Sequence, residues 1–188
     1  MKKIILIILT IVSVQLAEAQ MTISGTTLPK KVMVGETTLE LNGGGVRSKY
    51  WMDMYVAGLY LKTKSKDAKK IINENEYASI KIQIVSSLIT SEKMIAAVKE
   101  GFDNSTHKNT AAIQKEIDMF ISAFKDEIKK GDIFDIFYVP SKSTTMVMKN
   151  GKVQAKIEGF EFKKALLGIW LSDNPADKKL KEGLLGGA

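Results

Sequence analysis

The sequence predicts an α+β fold, in which an antiparallel sheet carries helices on one face. Strand-like segments follow one another in groups, and the helical segments are inserted together instead of alternating with strands one for one. Asn150-Gly151 separates two of the strand-like segments, and this dipeptide is the strongest short-range signal for a β-hairpin. The chain of 188 residues has no internal repeat and no Pro/Gly/Ser-rich linker, which favours a single domain.

The predicted strands are short segments rich in β-branched and aromatic residues. In "YASIKIQIV" (77–85), isoleucines at 80, 82 and 84 alternate with polar residues, which indicates a half-buried strand. The remaining strands are predicted at 30–34, 37–43, 50–62, 133–139, 144–149 and 152–157, with a turn at Gly35-Glu36 between the first two.

The predicted helices have apolar residues at helical spacing and residues typical of helix ends. One begins at Thr90 or Ser91, and its apolar stripe is formed by Met94, Ile95, Val98 and Phe102. The next has apolar residues from Ile113 to Ile128 and ends at Gly131. The others are a short polar helix at 65–76, a helix at 162–171, and a last helix with Asn174 as cap, Pro175 in its first turn and Gly186 beyond its end.

Residues 1–19 have the pattern of a signal peptide. Lysines precede an apolar run from Ile4 to Val14, and Ala17-Glu18-Ala19 forms a small-x-small cleavage site. The apolar run is too short to anchor the chain across a bilayer. We therefore expect cleavage after Ala19, a single domain formed by residues 20–188 without a transmembrane span, and a periplasmic or secreted location. The absence of cysteine favours a bacterial periplasm over a disulfide-stapled extracellular scaffold.

The composition excludes several classes of chemistry. The chain has one histidine, His107, and no cysteine, so neither a Ser-His-Asp triad nor a zinc site is expected. "LNGGGVR" lacks the Lys-Ser/Thr of a P-loop and the spacing of a dinucleotide fingerprint, and we predict neither a cofactor nor a metal. The formal net charge of +7 comes from scattered lysines, which indicates a solvated surface, with a lipid-headgroup role as the alternative. Export argues against nucleic acid as a partner.

Two segments resemble a known family. "LNGGGVRSKYWMDMYVAGLYL" (41–61) is similar to the "GGxGxR … GVYL" region of the chalcone isomerase family, and "FKKALLGIWLSDNPADKKLKEGLLG" (162–186) is similar to its C-terminal helix pair. The chain looks closest to the exported bacterial chalcone-isomerase-like branch. The resemblance implies the open-faced β-sandwich of that family, a large antiparallel sheet covered by helices.

The resemblance assigns a role to Arg47 and Tyr55. Arg47 matches the family arginine that, in true isomerases, helps to position a negatively charged oxygen of the substrate, and Tyr55 stands where the isomerases have a threonine. An arginine with a tyrosine at these positions resembles the fatty-acid-binding branch, where the pair holds a carboxylate. A guanidinium offers a planar fork of donors that matches a carboxylate, and a phenol adds a neutral donor.

Other substrate-site positions of the isomerases hold different residues here. The Tyr, Lys and Asn of the isomerase substrate-site helix correspond to Lys93, Ala96 and Glu100, and the Thr-Met pair of the penultimate helix corresponds to Ile169 and Trp170. The resemblance therefore implies a site unlike that of a chalcone isomerase.

The spacing of Arg47 and Tyr55 sets a geometric condition. Eight residues of straight strand at about 3.3 Å each would separate them by about 26 Å, so they share a ligand only if the chain bends between Ser48 and Trp51. We also expect Gly43–Gly45 to let the backbone approach a ligand closely. From the residues alone, Arg47 could instead end a loop in solvent, with Tyr55 as sheet core.

Three functional hypotheses follow. The first is a non-catalytic binder of a fatty acid or similar small amphipathic carboxylate, held by Arg47 in a cleft formed by Tyr55, Met94, Val98, Ile169 and Trp170. The second is an intramolecular lyase or isomerase acting on an unknown phenolic or enone substrate, with Arg47 stabilising an oxyanion and Tyr55 as donor. The third is a structural or interaction protein with a vestigial cleft.

Overall fold

The computed structural model describes residues 21–187, and the predicted signal peptide lies outside them. Seven strands form one curled antiparallel sheet in the order β3-β4-β5-β6-β7-β8-β9, so each strand pairs with its neighbours along the chain. Two short strands, β1 and β2, form a separate antiparallel pair. The strand bounds are β1 Met21–Ile23, β2 Thr26–Leu28, β3 Lys31–Val34, β4 Thr37–Lys49, β5 Met52–Leu61, β6 Ala78–Ile84, β7 Ile133–Val139, β8 Thr144–Lys149 and β9 Lys152–Glu158.

The helices pack on one side of this sheet, which confirms the predicted α+β fold. Thr90 caps the second helix as predicted, because its hydroxyl accepts a hydrogen bond from the backbone N–H of Lys93. The helix bounds are α1 Ala68–Asn73, α2 Ser91–Ser105, α3 Gln114–Ser122, α4 Phe160–Leu171 and α5 Lys178–Leu184, with 3₁₀ turns at Ala111–Ile113 and Pro140–Lys142. None of the helices in residues 21–187 is long and apolar enough to cross a membrane.

The two faces of the sheet have separate apolar clusters. The larger cluster lies between the sheet and the helices and includes Tyr55, Phe102, Phe120 and Trp170. A smaller cluster around Val56 and the fully buried Tyr60 lies on the opposite face, and the β1–β2 pair contributes to it through Leu28 and Ile23. β1 and β2 are not predicted from the sequence, because strands of three residues are too short for alternation to be recognised.

The β4–β5 hairpin differs from the prediction and satisfies the geometric condition on Arg47 and Tyr55. β4 continues through the glycines to Lys49, and the chain turns at Tyr50 and Trp51, where φ is 52° and 62°. Asparagine and glycine are the residues preferred at such positive φ values, so an aromatic pair was not recognised as a turn. The turn lies between Ser48 and Met52 and makes Arg47 and Tyr55 cross-strand partners.

The third helix is shorter than predicted. Helix α3 ends at Ser122, although the apolar periodicity continues to Phe124 and Ile128, which are both buried. The N–H groups of Ala123 and Phe124 bond to carbonyls three residues earlier, and the hydroxyl of Ser91 donates to the carbonyl of Phe124. Residues 123–128 leave the α-helix, and the Ser91 hydroxyl of α2 then supplies a hydrogen-bond partner for their backbone. Their apolar side chains stay in the core.

The last helix begins later than predicted. Its N-cap is Asp177, whose carboxylate accepts from the backbone N–H of Leu180 at 2.9 Å, so Asn174 and Pro175 precede the helix. Asparagine and aspartate both cap helices well, so the sequence alone did not distinguish Asn174 from Asp177 as the cap. Gly186 follows the helix with φ of 73°, as predicted.

Candidate functional site

A bulge in strand β5 sets the direction of the side chains at the candidate site. Arg47 pairs with Tyr55 and Ser48 pairs with Asp53, so Met54 is an extra residue on β5. A bulge of this kind interrupts the strict alternation of faces. Met52, Met54 and Tyr55 consequently all line the same pocket, on the face that carries the helices.

This pocket, here called the outer pocket, has a volume of about 310 Å³ and opens to solvent. It lies between the end of the β4–β5 hairpin and helix α2, and most of its lining is apolar. Its charged residues are Arg47, Lys49, Lys93 and Glu100, which gives the lining a net positive charge. The other lining residues are Tyr50, Met52, Met54, Tyr55, Leu88, Ile89, Met94, Ala96 and Ala97.

A second, much smaller space continues inward from the outer pocket. It has a volume of about 30 Å³ and shares Arg47, Tyr55, Met94 and Ala97 with the outer pocket. All six residues predicted to bind a ligand line it: Arg47, Tyr55, Met94, Val98, Ile169 and Trp170. The structure therefore brings these six together, with Arg47 and Tyr55 between the open pocket and the core.

A hydrogen bond that sequence reasoning did not predict holds Tyr55 in place. The indole Nε1–H of Trp170, on α4, donates to the Tyr55 hydroxyl at 3.0 Å, and both side chains are buried. Since this hydroxyl accepts from Trp170, its own hydrogen is available to an acceptor in the pocket. Burial raises the pKa of Tyr55 and outweighs the Arg47 charge and the Trp170 hydrogen bond, which lower it, so the phenol stays protonated at neutral pH.

Arg47 is half-buried and stands over the Tyr55 ring, with its guanidinium carbon 5.8 Å from the ring centroid. In the described part of the chain, no carboxylate forms a salt bridge with it. The nearby Asp177 is engaged elsewhere, because its oxygens accept from the N–H groups of Leu180 and Ser48. A cation in this setting attracts an anion, and its planar fork favours a carboxylate.

Helix α2 forms one wall of the outer pocket. Lys93, Ala96 and Glu100, the positions that the resemblance assigned to the isomerase substrate site, all line it. The helix lies close to α4 at Gly101, where an added Cβ would be 2.8 Å from Ile169. This close approach brings Val98 and Ile169 to the same inner space.

The three consecutive glycines serve a purpose other than the one expected. A Cβ on Gly43 would lie 2.1 Å from the carbonyl oxygen of Gly183, and one on Gly45 would lie 3.1 Å from Leu180. Both neighbours belong to helix α5, and neither glycine lines the outer pocket. The prediction that these glycines let a ligand approach the backbone is therefore wrong, because α5 packs against Gly43 and Gly45, and a Cβ on Gly44 would lie 2.5 Å from the side chain of Leu28 on β2.

Sequence reasoning missed several residues of the outer pocket, among them Met52, Met54, Leu88 and Ile89. The "WMDM" segment carried a signal, since methionine is common on adaptable apolar binding surfaces. Among residues 21–187, no cluster of three His, Asp or Glu side chains is placed to hold a metal ion. His107 is exposed beyond the end of α2, as predicted.

The curled sheet, with helices on one side, makes this chain an open-faced β-sandwich protein. Residues 20–186 match the chalcone isomerase-like family, and the chain belongs to that family. A crystal structure of a fatty-acid binding protein from Arabidopsis thaliana has the same fold, with a TM-score of 0.69 and 19% sequence identity over 86% of this chain and 92% of that one. No curated protein matches this chain in sequence.

Proposed function

We propose that this protein is an exported, non-catalytic binder of a fatty acid or a similar small amphipathic carboxylate. The proposal includes removal of residues 1–19 and a periplasmic location, as in the exported bacterial branch of the family. The observation that carries it is Arg47, a cation without a salt bridge in the described chain, at the inner end of an apolar pocket beside the Tyr55 hydroxyl.

The proposed carboxylate lies against Arg47 and Tyr55. The guanidinium donates charge-assisted hydrogen bonds to it, and the phenol donates the hydrogen that Trp170 leaves available. Because Trp170 fixes the hydroxyl, Tyr55 loses little conformational entropy when the ligand binds. The fatty-acid binding protein of Arabidopsis, which shares the fold, supports a ligand of this class.

The dimensions of the two spaces suggest where the tail lies and how long it is. The inner space of about 30 Å³ is too small for an acyl chain, whereas the outer pocket of about 310 Å³ is at the lower end of the range for ligand sites. The tail therefore extends along Met52, Met54 and Met94 in the outer pocket. A short or medium-length chain fits this space better than a long one.

Two observations favour binding over the alternatives. Lys93, Ala96 and Glu100 occupy the positions that correspond to the donors of an isomerase site, and a proton-transfer mechanism requires its donors in place. The outer pocket is open rather than collapsed, which argues against a vestigial cleft.

The test begins with native mass spectrometry of protein purified from its own periplasm, where we expect a co-purified aliphatic acid. Titration calorimetry with saturated fatty acids of increasing length then measures affinity. Each buried methylene contributes about 0.8 kcal/mol, so affinity rises about fourfold per methylene until the pocket is filled, and then levels off. A co-purified conjugated phenolic compound, or affinity that does not depend on chain length, would overturn the proposal.

A further inference from the structure

The turn of the β4–β5 hairpin exposes large aromatic side chains. Trp51 is 99% exposed and Tyr50 is 72% exposed. We call these two residues the hairpin tip. Met52 and Leu88 beside it are also exposed, at 42% and 44%. An exposed tryptophan in a group of apolar residues is unusual for a solvated surface and indicates a contact site.

The backbone of the tip does not require aromatic residues. The β8–β9 hairpin makes a turn of the same length with Asn150-Gly151, at φ of 50° and 78°. Tyr50 and Trp51 adopt comparable positive φ values, which bulky side chains rarely accept. The turn itself would be more stable with asparagine and glycine, so the aromatic pair needs another explanation.

The charges around the tip are mainly basic. Lys49 precedes it, with its ammonium 5.6 Å from the Tyr50 ring centroid, and Lys93 and Arg47 line the adjoining pocket. The carboxylate of Asp53 accepts hydrogen bonds from the hydroxyls of Ser24 and Ser48. A surface of this kind, with tryptophan, tyrosine and lysine together, complements an anionic phospholipid interface.

The tip is continuous with the mouth of the outer pocket. Tyr50, Met52 and Leu88 line that pocket and are exposed at the same time. If the tip enters a bilayer surface, the mouth of the pocket faces the headgroup region. A fatty acid in the bilayer presents its carboxylate in that region.

We propose that the hairpin tip docks this protein on the surface of an anionic phospholipid bilayer, with the outer pocket open to the lipid. The exposed aromatic residues of the tip and the adjacent Lys49 support docking whether or not the pocket holds a fatty acid. The transfer of a fatty acid between bilayer and pocket rests on the proposed function.

Trp51 provides the test, because it is exposed while the other tryptophan, Trp170, is buried. Protein recovered after export is mixed with vesicles of phosphatidylglycerol and phosphatidylethanolamine, or of phosphatidylcholine alone. We expect a blue shift of tryptophan emission with the anionic vesicles. Trp51→Gly lacks the reporting indole, so its docking is measured by co-sedimentation with the vesicles, where it should lose at least about tenfold in affinity, because a tryptophan side chain buries a large apolar area. Lys49→Gln should lose about fivefold on the anionic vesicles only.

The controls separate docking from other effects. Val153→Thr removes an exposed apolar group on the edge strand β9 and should bind vesicles like the wild type. Trp51 does not line the pocket, so Trp51→Gly should bind dodecanoate normally without vesicles. If neither the wild type nor any variant binds dodecanoate but vesicle docking still depends on Trp51, the proposed function fails and the docking inference holds.

Three results would overturn the inference. The first is an absence of vesicle binding, and the second is equal vesicle binding by wild type and Trp51→Gly. The third is a wild-type dimer in analytical ultracentrifugation that becomes monomeric in Trp51→Gly, since the tip would then join two copies of this chain.

Discussion

Replacement of Arg47 by alanine tests the proposed carboxylate site most directly. Hydrogen bonds to a charged group contribute about 1.5–3 kcal/mol, so loss of the guanidinium should weaken dodecanoate binding roughly ten- to a hundredfold. Arg47→Lys should recover only part of this loss, because an ammonium cannot present the planar fork of donors to both carboxylate oxygens.

The same substitution should change folding stability only slightly. Arg47 forms no salt bridge within residues 21–187, and its contact with the Tyr55 ring is a cation–π interaction worth about 0.5–1 kcal/mol. For a protein of this size, a loss of about 1 kcal/mol lowers the Tm by about 2–4 °C. The effect on binding should therefore be clearly larger than the effect on the free energy of unfolding.

The assay is titration calorimetry with dodecanoate at physiological ionic strength, together with thermal unfolding of each variant. Lys99→Ala is the matched control, because it removes the same charge from an exposed position on α2 that does not line the pocket. It should bind like the wild type, since Lys99 is exposed and makes no contact with the pocket, and solvent and salt screen an exposed charge. If Arg47→Ala binds normally but has a lower Tm, Arg47 is structural and the carboxylate site is wrong.

The remaining predictions concern the hairpin glycines, the phenol, catalysis and export. Gly43→Ala should lower the free energy of unfolding by about 1–3 kcal/mol in chemical denaturation, because its methyl group would overlap the α5 backbone. Gly45→Ala should lower it less, because its methyl group meets the movable side chain of Leu180. If both variants are as stable as the wild type, the packing of α5 against these glycines is contradicted. Tyr55→Phe should weaken dodecanoate binding by about 0.5–1.5 kcal/mol and also lower stability, because the buried Trp170 N–H loses its acceptor; unchanged unfolding would refute that role. Chalcone cyclisation, followed by absorbance, should not exceed the spontaneous rate, and a stereoselective rate would restore the isomerase hypothesis. Export should remove residues 1–19, and intact Met1 in the mass of the exported protein would disprove cleavage.

Local sequence patterns predicted most of the strands and helices, because each pattern depends on neighbouring residues only. Alternation at 77–85 predicted β6, Asn150-Gly151 predicted the β8–β9 hairpin, and Thr90 predicted the start of α2. The grouping of the strands predicted that the sheet is antiparallel, and the structure added the order of its strands. In these places backbone propensity, side-chain pattern and final burial agree.

Where tertiary packing opposed a local preference, the sequence by itself did not predict the local structure. Aromatic residues at the β4–β5 turn and an extra residue at Met54 are locally unfavourable, yet the turn and bulge pair Arg47 with Tyr55 across two strands. The role of Gly43 and Gly45 depends on α5, which lies about 140 positions later in the chain.

In the candidate site, too, the sequence predicted some features and only tertiary packing determined the others. The sequence, through its resemblance to the chalcone isomerase family, identified six residues that meet at one internal space. Only the tertiary structure determined that Trp170 donates to Tyr55 across 115 positions, and that the larger volume is the outer pocket, where Met52, Met54 and Leu88 join three of the six. The physical reason is that pocket volume and hydrogen-bond geometry depend on how whole elements pack. A sequence pattern confined to one element carries no information about where another element packs against it.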